Sequence, residues 1–84
     1  MQGTRVDGMD ELFGLEGGYC PTTLDGKRVW MVVTPGGHLG NLSKHEVTEH
    51  EDGTITVSPS ILVSNPQQGE LFHGFLERGV WRKV

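Results

Sequence analysis

The residues of this chain best suited to chemistry are a serine and a histidine: Ser60, in the run Ser58-Pro59-Ser60, and His73. A serine hydroxyl becomes a nucleophile only when a base lies within hydrogen-bond reach and is itself held in place. Both residues fall in segments that read as strands. If segments 54–63 and 71–76 pair as neighbours, Ser60 and His73 face one another at the spacing of a cross-strand pair. His73 sits between Leu71 and Phe75, an apolar setting that shields it partly from water. Strand serines and half-buried histidines are more often structural, so spacing alone makes the pair a candidate.

The other histidines offer less. His45-Glu46-Val47-Thr48-Glu49-His50 has the composition of a zinc-protease helix, but positions 45 and 50 miss the i, i+4 spacing that puts two histidines on one helical face. A solvated polar strand is the plainer reading. Gly36-Gly37-His38-Leu39-Gly40 lacks the lysine and spacing of a phosphate loop, so it reads as a turn exposing His38. His38 is carried as a third candidate that would orient or assist His73, a role a nearby carboxylate could equally fill. Asn41-Leu42-Ser43 matches a glycosylation acceptor, which means nothing without a secretion signal. Cys20 is the one cysteine, so no internal disulfide can form. No cofactor and no metal site is expected.

The elements that must position these residues are short. Thirteen glycines and four prolines in 84 residues cut the chain into pieces that suit hairpins. Residues 1–17 read as an N-terminal arm or a short helix over Met9–Leu15, capped by Asp7 or Asp10 and packing Leu12, Phe13 and Leu15 on the sheet. Residues 18–84 read as a single β domain. Asp25-Gly26 marks a hairpin within 19–34, and the apolar run Val29–Val33 makes 28–34 the central strand. Residues 34–38 form a loop, 44–51 an exposed or edge strand, and Asp52-Gly53 a turn. Residues 54–63 alternate, with Ile55, Val57, Ile61 and Val63 on one face and Pro59 as a bulge, bend or edge. Strands at 71–76 and 80–82 follow, joined by Arg78-Gly79. The fold class is mostly β: a small antiparallel barrel or two-layer sheet of five to six short strands, with at most one short helix near the N-terminus. Trp30, Val32, Ile55, Val57, Ile61, Phe75 and Trp81 are the expected core.

Eleven acidic residues against seven basic ones give a net charge of −4. A nucleic-acid binder needs a basic footprint, and this chain has none. No apolar run is long enough to span a membrane, and the first residues lack a signal peptide's layout. The expectation is a cytoplasmic protein.

The run Thr56-Val57-Ser58-Pro59-Ser60-Ile61-Leu62-Val63, followed after a loop by Phe72-His73-Gly74-Phe75-Leu76 and Gly79, resembles a small bacterial and phage family, the BubE-like proteins. Their pattern is a threonine-containing strand ending in Pro-Ser-Ile, then Cys-His before a short apolar strand and an Asp-Gly turn. One branch accompanies bacterial ubiquitin-like conjugation genes and is regarded as a peptidase. The resemblance covers roughly residues 34–81 and implies Ser60 as nucleophile and His73 as base. It is imperfect. The Cys-Pro-x-Cys turn of many relatives is here Thr34-Pro35-Gly36-Gly37-His38, Phe72 replaces the cysteine before the histidine, and Arg78 replaces the turn aspartate. With those thiols missing, no structural zinc is expected. Small size, acidic charge and lost cysteines favour a non-catalytic, phage-encoded domain that binds a protein partner. The retained serine and histidine favour a Ser/His hydrolase. The sequence alone leans to the first.

Overall fold

The computed structural model describes all 84 residues, Met1–Val84. Its elements are β1 (Thr4–Arg5), one helical turn α1 (Met9–Leu12), β2 (Gly18–Leu24), β3 (Lys27–Val33), β4 (Leu39–Asn41), β5 (Glu46–Glu49), β6 (Ile55–Ser58), β7 (Ile61–Asn65), β8 (Gly69–Glu77) and β9 (Val80–Lys83). The fold is mostly β, as the turn-rich sequence implies. There are nine strands rather than five or six, because several are only two to four residues long.

Turn chemistry sets two of the hairpins. Asp25-Gly26 and Arg78-Gly79 adopt φ of 52° and 77°, and 46° and 76°. Positive φ at both central residues is the turn geometry whose twist matches the flanking strands. These turns join β2 to β3 and β8 to β9.

Three sheets result, ordered β1-β2-β3-β4, β5-β6 and β7-β8-β9. All pairings are antiparallel except β1 with β2. They do not close into a barrel: β4 and β7 each have a partner on one side only. β3 is central in its sheet, as expected of 28–34. The inner faces pack around Trp30, Val32, Ile55, Val57, Ile61 and Trp81, joined by Tyr19, Leu42, Phe72 and Leu76. A smaller cluster of Leu12, Cys20 and Val33 lies apart from it. Full burial of each such aliphatic side chain favours folding by about 1.5–3 kcal/mol. No helix is long and apolar enough to cross a membrane.

Several expectations need correcting. Residues 54–63 are two strands in two sheets, because Pro59 cannot donate to a ladder and the chain changes sheet there. Phe75 is not core. Inward positions of β8 are Phe72, Gly74 and Leu76, while Phe75 is half-buried on the outer face with the Arg82 guanidinium 4.9 Å from its ring centre. The helix cap is Gly8, with no side-chain cap bond, and Phe13 is exposed.

Residues 1–17 are no loose arm. Gly3 N–H donates to the Gly79 carbonyl (2.7 Å), Thr4 N–H to Gly17 (3.2 Å), and Trp81 N–H to Met1 (2.8 Å). The indole N–H of Trp81 donates to the Gly17 carbonyl at 2.8 Å. The N-terminal segment therefore fastens the β2 sheet to the β9 strand.

Candidate functional site

Ser60 lies in the short link between β6 and β7, and His73 lies in the middle of β8. The β7–β8 register pairs Leu62, not Ser60, with His73. Ser60 is two residues earlier on the same outer face, a diagonal neighbour rather than a directly opposed one. A diagonal of this kind is within reach of a long side chain. The imidazole spans it: Ser60 Oγ is 3.0 Å from His73 Nε2. The expectation of a directly opposed cross-strand pair is therefore corrected: Ser60 and His73 meet diagonally.

The other ring nitrogen, His73 Nδ1, lies 3.7 Å from Glu70 Oε1. That is an ion-pair distance and longer than a hydrogen bond. His73 is half-buried, with 34% of its side chain exposed, and Glu70 is 61% exposed. A proton on Nδ1, the side facing Glu70, would leave Nε2 as the acceptor for the serine proton, the tautomer a nucleophile–base pair requires. No spacing rule points to an exposed glutamate beside a turn, so sequence reasoning did not single out Glu70.

His45 adds a third contact. Its Nε2 is 3.2 Å from the Ser60 carbonyl oxygen, while its Nδ1 is buried without a partner. A proton on Nδ1 would have no acceptor, so the ring carries it on Nε2 and donates to Ser60. The His45–His50 pair of the zinc-like motif is split: His50 Nε2 is 2.7 Å from the Thr56 hydroxyl. No three His, Cys, Asp or Glu side chains converge as a metal site.

His38 is not part of the cluster. It sits in the β3–β4 loop, where its backbone carbonyl accepts from Thr34 N–H at 2.8 Å. Its ring lies against Gly36, and it makes no bond to Ser60 or His73. The group beside His73 is Glu70. Cys20 is no alternative nucleophile, since burial pushes its thiol pKa up.

The surroundings of the pair are open. Neither Ser60 nor His73 lines any concavity of the surface. The nearest, of about 280 Å³, is lined by His45 and by the residues directly after Ser60, Ile61 to Ser64.

Compared with protein-family models, curated proteins and solved structures, the chain matches none.

Proposed function

We propose that this chain is a Ser/His hydrolase, peptidase-like in its chemistry. The single observation that supports it is the 3.0 Å separation of Ser60 Oγ and His73 Nε2, with a carboxylate beside the other ring nitrogen. Ser60 Oγ attacks an acyl carbon as its proton passes to His73 Nε2. The tetrahedral species collapses, the bond to the leaving amine or alcohol breaks, and His73 returns the proton to it. Water, deprotonated by the same nitrogen, then releases the acyl group from Ser60. Glu70 favours the imidazolium formed on the way. No metal or cofactor takes part in this scheme.

A fluorophosphonate probe tests the proposal. Wild-type protein labels at Ser60, located by peptide mass spectrometry. Ser60→Ala and His73→Ala each lose the label while keeping a native circular dichroism spectrum. Absence of label at Ser60 in the wild type, or undiminished labelling of His73→Ala, rejects it.

A second reading is a non-catalytic protein-interaction domain, phage-encoded and working in the host cytoplasm. The open surface over Ser60 and His73 favours it. On that reading Ser60→Ala is nearly silent. His73→Ala then only destabilises, by roughly 1–3 kcal/mol where it strands a buried partner.

A further inference from the structure

The serine at the centre of the site is held by few bonds of its own backbone. Ser60 lies between β6 and β7, and no backbone–backbone hydrogen bond engages Pro59 or Ser60. Proline has no N–H to give. β7 is the edge of its sheet, so no further strand lies beyond it to bond the Ser60 carbonyl. The bond that carbonyl does make is to His45, whose Nε2 stands 3.2 Å away. A peptide group is planar. Holding the Ser60 carbonyl therefore holds the plane between Ser60 and Ile61, and limits the directions in which the Ser60 Cα can send its hydroxyl.

His45 is itself firmly placed. It closes a tight turn: its N–H donates to the Leu42 carbonyl at 3.0 Å, and within the same turn Ser43 N–H donates to Asn41 Oδ1 at 2.6 Å. Leu42 is buried in the core, and its own N–H donates to the Trp30 carbonyl of β3 at 2.9 Å. The ring Nδ1 of His45 is buried with no partner. The ring bonds through Nε2 alone, so turning it away gives up the one hydrogen bond it makes. A path of bonds thus runs from β3 through the turn to the Ser60 carbonyl, while Ser60 Oγ meets His73 Nε2 of β8 at 3.0 Å.

We infer that His45 is a positioning residue, which holds the Ser60 hydroxyl against His73 by gripping the Ser60 carbonyl. Its ring nitrogens bond neither Ser60 Oγ nor His73, so it acts through the backbone alone. Without that donor the carbonyl has no partner in the protein, and the link between the two sheets is free to turn. Displacing a reacting group by about 1 Å costs on the order of 10²-fold in rate. The catalytic part of this role rests on the hydrolase reading, and the geometric part does not.

Two readouts on the full chain test it. The first is the rate of fluorophosphonate labelling at Ser60. His45→Leu has similar bulk and no donor, and it labels at least about tenfold more slowly than the wild type. His45→Gln carries an N–H at similar reach and recovers most of that rate. A merely structural histidine would show no such rescue: both variants would lose stability while their folded fractions labelled alike. The second readout is the ¹⁵N resonance of His73 Nε2 at alkaline pH, with the rings neutral, which senses the bond from Ser60 whether or not the serine reacts. Ser60→Ala moves it in the wild type and in His45→Gln, and leaves it in place in His45→Leu, where the bond is already lost. If His45→Leu does not fold, His45→Asn, too short to reach the carbonyl, replaces it in both readouts. Where the wild type labels, an equal rate in His45→Leu overturns the inference. So does a His73 resonance that Ser60→Ala moves equally in wild type and His45→Leu, or moves in neither. A wild type that does not label rejects the hydrolase, and the resonance then decides this inference by itself.

Discussion

Arg5 and Glu49 meet at 2.7 Å, one on β1 and the other on β5, and so tie two sheets together. Glu49 also reaches Arg28 on β3 at 3.1 Å. Both guanidinium groups lie over the indole of Trp30, 5.3 and 5.2 Å from the ring centre. One carboxylate thus holds two cations against one buried aromatic, where each gains a cation–π contact.

That geometry has a pH signature. The hydrogen bond from Arg5, with the charges of Arg28 and Arg5, holds the Glu49 carboxyl below its ordinary 4.5. A folded pKa below the unfolded one gives stability that is present above pH 4.5 and is lost as pH falls through the lower, folded value. Glu49→Gln should therefore be less stable than wild type at neutral pH, with the two converging in acid. Urea midpoints measured across the acid range check this. A difference independent of pH would show that the charge does not matter.

Trp30→Ala removes a core ring and the platform for both arginines. The expected cost is about 3–5 kcal/mol, as for other buried aromatic truncations. Urea denaturation gives the value, and a change below about 1 kcal/mol with an intact fold would mean the ring is not buried as described.

Gly74→Ala should be severe although it adds one methyl group. Its Cβ would fall 2.5 Å from the Arg82 carbonyl oxygen and 2.6 Å from Phe72 Cζ. The first neighbour is ladder backbone and cannot step aside. Overpacking of this kind costs typically about 1–3 kcal/mol, so the thermal midpoint falls markedly. Gly40→Ala, whose neighbours are side-chain methyl groups of Val32 and Val63 at 3.3 and 3.4 Å, should be milder.

Glu70→Gln separates orientation from chemistry. The carboxylate is exposed and 3.7 Å from the ring. Exposed pairs are worth under about 1 kcal/mol, so fluorophosphonate labelling of Ser60 should slow by roughly fivefold at most. Complete loss of labelling would give Glu70 a larger part than its exposure allows.

The sequence was most legible where a turn needs particular residues. Asp25-Gly26 and Arg78-Gly79 mark hairpins because few residue pairs tolerate positive φ at both positions, and Asp52-Gly53 marks another through Gly53 at φ 88°. It was least legible between Ser58 and Ile61. Ile55, Val57 and Ile61 are all buried, so hydrophobic alternation continues in phase while the chain changes sheets, and only Pro59 hints at the break. β8 misled for another reason. Phe72 and Phe75 have the same hydrophobicity, and the face each takes is set by neighbours far away in sequence. Ser60 and His73 were readable as a pair because two alternating strands joined by a loop bring them near. Glu70 and His45 were not. Their contacts depend on a turn and on a loop from another sheet, and neither has a periodic signal.

The fastening of the first residues to the last strand also dictates an order of events. Met1 and Trp81 bond to each other across 80 positions of sequence, and Gly3 waits on Gly79. Contacts so distant in sequence are costly to close and slow to form. During synthesis the amino-terminal sheet is made early, but its clasp emerges only with the final strand. Until β9 follows, the core holds only one of its two indoles, Trp30, and the amino-terminal sheet lacks the partners that Gly79 and Trp81 give its Gly3 N–H and Gly17 carbonyl.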